Sequence, residues 1–400
     1  MNSSKISLLT EGVGFEQEEA LENVKYKVKH LGMATKYDSC CSSASRRVVT
    51  SNDRIGDAAC GGICKSFTPD GRCISLFKTL YTNSCKADCK YCSNSTSCKK
   101  KQEKLSYEPE ELCKVFMSLY VRNYVEGLFL SSGLAGDQNA VMHKMVDTIK
   151  LLRTKFQFQG YIHLKALPGS DYSLLKEASG MVDRISVNVE APNKDRLSDL
   201  SSVKDYKIDI LRRQRWLKNM KLSSGHTTQF VVGATDETDL EILNMMNFEY
   251  QNFNLKRAYF SAFSPCKDTP LENKEKTSLL RENRLYNADW LLRVYKYEIS
   301  ELKDIINDQG FLPKEDPKVV YARKYFDKAV DLNDASYADL LRVPGIGITS
   351  AKRIYRMQKS RIKIEKRAQL KNIGIVLKRA EPFLKIDGWN QKRLGDYVAV

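Results

Sequence analysis

Six short apolar runs recur between residues 73 and 263, and segments with a helical hydrophobic period separate them. In chain order the runs are CISLFKTLYT (73–82), GLFLSSG (127–133), YIHLKALPG (161–169), RISVNVE (184–190), TTQFVVG (227–233) and RAYFSAF (257–263). Strands that alternate with helices indicate βαβ units and a parallel sheet. The sequence therefore predicts an α/β protein built on a partial, TIM-like (β/α)6 barrel. In parallel barrels the chemistry lies where strands end and loops begin.

The rest of the 400-residue chain is arranged around this barrel. We predict an irregular N-terminal extension over 1–72, the barrel over 73–265, a helical linker over 266–317 and an all-helical C-terminal domain over 318–400. No apolar stretch is long enough to span a membrane, and the N-terminus lacks the features of a secretory signal. We therefore expect a cytoplasmic protein, in which cysteines are metal ligands, catalytic thiols or core residues more often than disulfides.

Three of the eleven cysteines stand together in CKADCKYC (85–92), directly after the first predicted strand. Thiolates at such short spacing on one loop are typical ligands of an iron–sulfur cluster. Three ligands leave one iron of a four-iron cluster open to a small molecule. Cys98 follows six residues later and could complete a four-cysteine zinc site, so zinc is the alternative on this pattern.

Positive charge concentrates at the other end of the chain. Residues 341–400 hold 15 Lys and Arg against 4 Asp and Glu, a net charge of +11 out of the chain's +16. Such a segment is either a solvated helical surface or a binding face for a polyanion. It contains LRVPGIGITSAKRI (341–354), the pattern of a helix-hairpin-helix, in which Pro344 ends the first helix and two glycines form a tight turn.

The turn of such a hairpin aims backbone N–H groups at an anion, at the start of the second helix. We predict that Gly345, Ile346 and Gly347 form this anion site and that Lys352 and Arg353 contact the flanking phosphates. A second, degraded copy follows 29 residues later in LKNIGIVLKRA (370–380), with valine in place of the second glycine. Duplex DNA, gripped through its phosphates, is the favoured ligand, and RNA is the competing one.

The cysteine loop resembles the signature of the radical SAM superfamily, C-x3-C-x-aromatic-C after the first strand of a βα barrel, with Tyr91 as the aromatic residue. The resemblance implies that Cys85, Cys89 and Cys92 hold a [4Fe–4S] cluster whose open iron is chelated by S-adenosylmethionine (SAM). One electron, from a donor such as a flavodoxin or ferredoxin, would cleave SAM to a 5′-deoxyadenosyl radical. That radical would abstract a hydrogen atom from the substrate.

The same resemblance implies SAM contacts on the later strands. The positions are Ser131, Ser132 and Gly133 after the second strand, Asn188 and Glu190 after the fourth, Gly233 after the fifth, and Tyr259 in the sixth. The small-residue motif would meet the SAM amino group, and the polar pair would contact its ribose or carboxylate. The last two positions would lie against the adenine. Strand-end solvation, helix capping and burial in the core are the alternatives for these residues.

Longer phrases resemble one family within this superfamily, which is named for DNA modification or repair. They include GGICKSFTPDGRCISL (61–76), YVEGLFLSSG (124–133) and RENRLYNADWLLRVY (281–295), and the likeness extends over roughly residues 35–355. That family has a biotin synthase-like core and a helix-hairpin-helix tail, and its members are associated with a uracil-DNA-glycosylase-like partner. The resemblance implies a radical SAM enzyme that acts on a DNA base or sugar. An RNA-modifying enzyme, and a DNA-binding protein with a structural or redox-sensing cluster, are the alternatives.

Two further groups of residues have open roles. Cys41, Cys64 and Cys73 precede the triplet in Gly- and Ser-rich sequence, where they could form a second metal site or remain free thiols. His163 and Lys165 alternate with apolar residues in the third run, so they share one face of a strand. If that face lines the barrel, they could touch SAM or a substrate phosphate; otherwise they are core residues.

Overall fold

The computed structural model describes residues 18–35, 62–67, 73–386 and 389–390. The chain divides into two compact units, Met1–Glu237 with Phe248–Ser278 and Thr238–Asn247 with Leu279–Val400. The domain boundaries predicted at 72, 265 and 317 stay predictions. Within the described residues, no helix is both long enough and apolar enough to cross a membrane.

The first unit is built on a seven-stranded sheet whose strands stand in chain order. The strands are β1 (Ile63–Phe67), β2 (Cys73–Leu80), β3 (Gly127–Ser131), β4 (Tyr161–Lys165), β5 (Arg184–Ser186), β6 (His226–Val232) and β7 (Arg257–Ala262). β1 pairs with β2 in antiparallel fashion, and every later neighbouring pair is parallel. Five of the six parallel strands fall within the apolar runs, and β6 begins one residue before its run, at His226. The predicted α/β half-barrel is confirmed. The edge strand β1 was not predicted, because its five residues lie among glycines and a proline that favour a loop.

Helices of the first unit alternate with these strands. They are α1 (Glu18–Ala34), α2 (Pro109–Val121), α3 (Gln138–Thr154), α4 (Tyr172–Ser179), α5 (Lys194–Leu200) and α6 (Arg212–Lys218), and a π-helix (Tyr206–Leu211) precedes α6. The residues of the next helix, α7 (Asp239–Asn252), are divided between the two units. α2 shows how the sequence sets such a helix. Glu108 and Glu111 form a capping box, Pro109 starts the helix, and Leu112 and Phe116 are fully buried on its inner stripe.

The second unit is largely helical. Its helices are α8 (Leu279–Arg293), α9 (Ile299–Lys303), α10 (Pro317–Tyr325), α11 (Tyr337–Arg342), α12 (Ile348–Lys359), α13 (Arg367–Ile373) and α14 (Leu377–Ala380). A small sheet in the order β10-β9-β8 accompanies them, formed by β8 (Val330–Asp331), β9 (Leu384–Ile386) and β10 (Trp389–Asn390). The predicted helical C-terminal region is confirmed. The small sheet is an addition, because strands of two or three residues carry no readable hydrophobic period.

Candidate active site and nucleic-acid interface

The three cysteines of the predicted cluster site lie on one loop, which follows β2. All three are free thiols; Cys89 is buried, and Cys85 and Cys92 are half-buried. Burial raises the pKa of Cys89 to about 11 and that of Cys92 to about 12, and the thiolate of Cys85 adds to both shifts. This mutual influence means that the fold brings the three sulfur atoms into one site.

The geometry of this site differs from that of a single metal ion. Among the residues that the structure describes, no three Cys, His, Asp or Glu side chains converge as ligands of one ion do. In a four-iron cluster each thiolate binds a different iron, so the three thiolates need not converge on a point. Cys98, the fourth ligand of the zinc alternative, is buried, and its thiol donates to the carbonyl of Lys100 at 3.5 Å.

The small-residue motif at the end of β3 packs directly against the cysteine loop. The N–H of Gly133 donates to the carbonyl of Thr82 at 2.8 Å, and the N–H of Leu134 donates to the Cys85 sulfur at 3.4 Å. A Cβ on Gly133 would lie 2.3 Å from the carbonyl oxygen of Ser84. Only glycine fits this close approach, so the motif holds the start of the cysteine loop in place.

The two serines of the motif precede this contact. Ser131 is buried, and its carbonyl accepts a hydrogen bond from the N–H of Tyr81 at 2.7 Å. The hydroxyl of Ser132 donates to the carbonyl of Gly133 at 2.9 Å. The structure therefore places Ser131, Ser132 and Gly133 beside the cysteine loop, as a SAM contact would require, and their role as ligands stays a prediction.

A buried ion pair lies next to Cys89. The ammonium of Lys204 donates to both carboxylate oxygens of Glu190, at 2.8 and 2.9 Å, and the two side chains are only 7% and 8% exposed. Lys204 also hydrogen-bonds the sulfur of Cys89. Burial lowers the pKa of Lys204, but Cys89 and Glu190 outweigh burial and hold it above its ordinary value. The ammonium therefore stays charged and favours a thiolate at Cys89.

Glu190 occupies this position through an unusual backbone conformation. Its φ is +64°, in the left-handed region that non-glycine residues rarely adopt. The N–H of Glu190 donates to the carbonyl of Gln229, and its carbonyl accepts from the N–H of Val231, so β6 fixes the strained residue on both sides. Tyr91 also hydrogen-bonds its carboxylate. Strain of this kind costs about 1–3 kcal/mol and concentrates at functional sites.

Asn188 stands two residues before Glu190 and is half-buried, whereas Val187 and Val189 on either side of it are fully buried. Of the predicted polar pair, Glu190 lies at the cysteine loop, through its contacts with Lys204 and Tyr91. The role of Asn188 stays a prediction.

A second carboxylate, Asp88, anchors the cysteine loop from within. It accepts hydrogen bonds from the hydroxyls of Ser201 and Ser202 and from the backbone N–H of Ser202. Burial raises the pKa of Asp88, but these donors outweigh it and lower the pKa to about 2. Lys90 adds a backbone bond to the carbonyl of Leu200 at 2.9 Å. The loop between Cys85 and Cys92 is therefore fastened to the segment that carries Lys204.

The two positions predicted to face adenine have other contacts. Gly233, with φ +84°, donates its N–H to the carboxylate of Glu237, and a Cβ there would overlap Thr277. The hydroxyl of Tyr259 lies 3.5 Å from Arg184 at the start of β5, and the guanidinium of Arg257 lies 5.2 Å from its ring centroid. Neither of these contacts connects Tyr259 to Cys89, Lys204 or Glu190.

Two helix hairpins pack together in the second unit. Gly345, with φ +82°, lies so close to Val376 that a Cβ would be 2.5 Å from the carbonyl oxygen of that residue. The N–H of Val376 donates to the carbonyl of Gly345 at 3.0 Å. Gly374, the counterpart in the degraded copy, has φ +88° and accepts from the hydroxyl of Ser350 at 2.9 Å. The equivalent apolar residues are all buried: Leu341 and Leu370, Ile346 and Ile375, Ala351 and Ala380.

The residues of the predicted anion site lie in the turn of the first hairpin, and their role as an anion site stays a prediction. Gly347 is the N-cap residue of α12, and the side chain of Ile346 is buried in the core. Lys352 is exposed on the first turns of α12. Arg353 is also exposed, and its guanidinium donates to the carbonyl of Ile373 at 3.0 Å. Arg353 thus links α12 to the end of α13 in addition to its predicted phosphate contact.

A buried lysine, Lys318, hydrogen-bonds the backbone of the hairpin turn. Its ammonium donates to the carbonyl of Ile346 at 2.8 Å and lies 4.2 Å from the ring centroid of Tyr295. Burial, with a further contribution from Arg379, lowers the pKa of Lys318 to about 7. Sequence reasoning missed Lys318 because it lies 28 residues before the carbonyl that it contacts.

Two family models match the segments of the chain that contain the cysteine loop and the first hairpin. The family model described as the Radical SAM superfamily matches residues 79–248, and the one described as the helix-hairpin-helix motif matches residues 326–378. The chain therefore carries a radical SAM domain and, after it, a helix-hairpin-helix motif. Radical SAM proteins use a [4Fe–4S] cluster and SAM, and the prediction of these cofactors is confirmed. No curated protein matches this chain.

Several solved structures are similar to this chain at low sequence identity and low TM-score. Methylornithine synthase (PylB) is 14% identical, with 72% of each chain covered and a TM-score of 0.45. HydG, a maturase of the [FeFe]-hydrogenase, is 12% identical over 54% of this chain, with a TM-score of 0.42, and the match covers 49% of HydG. A radical SAM methyltransferase from Sphaerobacter thermophilus is 14% identical over 58% of this chain and 72% of its own, with a TM-score of 0.41.

The residues present fit the cofactors. Three free thiols lie within each other's electrostatic reach, a lysine favours thiolate at Cys89, and an N–H of the motif after β3 donates to Cys85. Sequence reasoning missed Lys204 and Asp88. Nothing in the spacing around Lys204 marks it, whereas Asp88 was visible as the one acidic residue inside the cysteine loop.

Proposed function

We propose that this protein is a radical SAM enzyme that acts on a base or sugar of DNA, in repair or modification. One observation carries the proposal: a single chain combines the cysteine loop of a radical SAM domain with a pair of packed helix hairpins in its most basic segment. The first supplies the chemistry, and the second suits a phosphate backbone.

In this proposal Cys85, Cys89 and Cys92 hold the cluster. SAM would bind beside them, between the motif of Ser131, Ser132 and Gly133 and the carboxylate of Glu190. When bound, the cluster and SAM supply a one-electron cleavage that yields a 5′-deoxyadenosyl radical, which takes a hydrogen atom from the substrate. Lys204 holds the charge of Glu190 and steadies the Cys89 thiolate. Gly133 lets the motif after β3 pack directly against Ser84, at the start of the cysteine loop.

The hairpin pair positions DNA without reading its sequence, because its contacts are backbone N–H groups and lysine or arginine side chains. A base buried in a duplex must leave the stack before a radical can reach it. The proposal includes an electron donor such as a flavodoxin or ferredoxin, a cytoplasmic location, and a uracil-DNA-glycosylase-like partner that suits work on altered bases.

The experiment that tests the proposal measures 5′-deoxyadenosine formed anaerobically by the reconstituted, reduced protein with duplex DNA, single-stranded DNA or tRNA. We expect SAM cleavage that duplex DNA stimulates and that Cys89→Ala abolishes while DNA affinity stays within about twofold. Stimulation by tRNA alone would replace the proposal with RNA modification. A cluster that leaves SAM intact with every substrate would replace it with a structural or redox-sensing role.

A binding measurement tests the hairpin separately. Lys352→Ala should weaken binding of all duplexes about equally and reduce the salt-dependence slope by about 1, as expected for one lost phosphate contact. Lys144→Ala removes an exposed lysine of α3 in the first unit and serves as the matched control. Equal effects of the two substitutions would mean that the hairpin is not the DNA-binding surface.

A further inference from the structure

The buried lysine that contacts the turn of the first hairpin does not belong to the hairpin itself. Lys318 is the second residue of α10 and is 6% exposed. Its ammonium donates to the carbonyl of Ile346 at 2.8 Å and lies 4.2 Å from the ring centroid of Tyr295. The helix-hairpin-helix motif spans residues 326–378, so this lysine comes from a segment that precedes the motif. The contact is therefore an addition that this chain makes to its hairpin.

The carbonyl that Lys318 contacts is part of the peptide bond between Ile346 and Gly347. A trans peptide is planar, and its C=O and N–H point in opposite directions. The described residues contain no cis peptide bond. The ammonium therefore lies at the oxygen end of this peptide, and the N–H of Gly347 points away from it. A charged donor on the oxygen polarises the peptide and makes its N–H a stronger hydrogen-bond donor.

The turn has room for a ligand next to this N–H. Gly347 is the N-cap residue of α12, and no side chain caps that helix. Among the described residues, a Cβ on Gly347 would have one neighbour outside its own helix and chain neighbours, the hydroxyl of Tyr295 at 3.7 Å. α12 is twelve residues long, and the first turn of such a helix attracts negative charge. An anion placed there would be separated from the Lys318 ammonium by a single peptide group.

The charges around Lys318 leave its protonation sensitive to such an anion. Tyr295 from the segment after α8, Asp316 at the N-cap of α10 and Arg379 of α14 surround the ammonium. The carboxylate of Asp316 is itself paired with Arg379. Burial, and then repulsion from Arg379, lower the pKa of Lys318 to about 7, and the weaker attraction of Asp316 does not offset them. A negative group at the turn would favour the protonated form.

We propose that Lys318 is a positioning residue of the phosphate-binding turn, and that the hairpin holds a DNA phosphate most tightly when Lys318 is protonated. The inference rests on the proposed function, which makes the hairpin a DNA-binding site. Coupling between two sites is reciprocal, so a phosphate that favours the ammonium is favoured by it to the same extent. Duplex binding should therefore take up a proton. The affinity should be highest below pH 7 and fall as the pH rises above it.

Binding of duplex DNA to the full chain, measured by fluorescence anisotropy at constant salt from about pH 6.5 to 8.5, tests the inference. Residues 279–400 contain neither histidine nor cysteine, whose ordinary pKa values would place their titration in this range. The parent should lose affinity about fivefold or more across it. Lys318→Met should bind weakly, and Lys318→Arg, whose guanidinium stays charged, should bind well, both without pH dependence. Lys324→Met removes an exposed lysine of α10 that donates to the carbonyl of Asp304, and this matched control should keep the parent's profile.

Calorimetry in two buffers of different ionisation enthalpy counts the protons taken up on binding, and circular dichroism checks that each variant folds. The parent should take up more protons than Lys318→Met. A parent affinity that does not depend on pH, equal proton uptake in the two proteins, or a pH dependence that persists in Lys318→Met would overturn the inference. A merely structural role of Lys318 would lower the affinity by the same factor at every pH.

Lys352→Ala, measured alongside, separates failure of this inference from failure of the proposed function. If Lys352→Ala weakens duplex binding and the pH dependence is absent, the hairpin binds DNA and only the role of Lys318 is refuted. If Lys352→Ala binds as the parent does, the hairpin is not the DNA-binding surface, and the proposed function is refuted together with this inference.

Discussion

Lys204→Met is the substitution that tests the active-site geometry most sharply, because it removes one half of the ion pair beside Cys89. Glu190, whose side chain is 8% exposed, would lose its ionic partner and two hydrogen bonds of 2.8 and 2.9 Å. Breaking a buried pair from one side costs about 3–5 kcal/mol of folding free energy. Glu190→Gln in the same chain removes the uncompensated charge, so the double variant should recover about 2 kcal/mol or more of that loss.

The assay is a double-mutant cycle on the cluster-free protein, with hydrogen exchange of peptides from 184–220 reporting on the first unit. Lys155→Met is the matched control, since Lys155 forms an ion pair of 2.6 Å with Glu110 whose side chains are about half exposed. That change should cost no more than about 1 kcal/mol. A coupling below about 0.5 kcal/mol between positions 190 and 204, or equal costs for the two lysines, would refute the buried pair.

Three further predictions follow from single groups. Gly345→Ala should destabilise the second unit by about 2 kcal/mol or more and weaken duplex binding in a gel-shift titration. Gly136 also has a positive φ but has open space around it, so Gly136→Ala should cost only about 1 kcal/mol of folding free energy. Equal costs of the two substitutions would contradict the steric argument. Burial raises the pKa of Glu249 to about 8 in the folded protein, above its ordinary value of 4.5. The protonated side chain therefore contributes stability that is fully present below pH 4.5 and is lost as the pH rises through 8. Glu249→Gln should flatten the pH dependence of the free energy of urea unfolding by up to about 1.4 kcal/mol per pH unit, and an unchanged slope would contradict the assignment. Iron must displace protons from Cys89 and Cys92, whose pKa values are raised, so the yield of anaerobic cluster reconstitution should rise from pH 7 to pH 9. A yield that does not depend on pH would mean that these thiols are not the ligands.

The parts of this protein that the sequence predicts are those encoded over a few neighbouring residues. Parallel strands are buried on both faces and read as short apolar runs, which is why β2 to β7 could be placed. The cysteine loop and the PGIG turn are likewise local, since their spacing alone fixes which groups converge. β1 could not be placed, because nothing in its five residues separates an edge strand from the loop around it.

The supporting contacts of the site could not be predicted, because tertiary packing alone creates them. Lys204 reaches Glu190 across 14 residues that include the whole of α5, and Ser201 and Ser202 meet Asp88 from 113 and 114 residues away. The positive φ of Glu190 is also invisible in the sequence, since glutamate is not a residue that favours it. Gly133 is the intermediate case. The run of small residues was visible, and the reason for it, the carbonyl oxygen of Ser84, was not.

We propose that Cys85, Cys89 and Cys92 hold a cluster with one iron open to SAM. Electron paramagnetic resonance of the anaerobically reconstituted and reduced protein, recorded before and after SAM is added, tests it most directly. We expect a cluster signal that shifts when SAM binds and that is lost in Cys89→Ala. A signal that SAM leaves unchanged, or bound zinc without any cluster signal, would contradict it and leave the paired hairpins as the protein's main functional site.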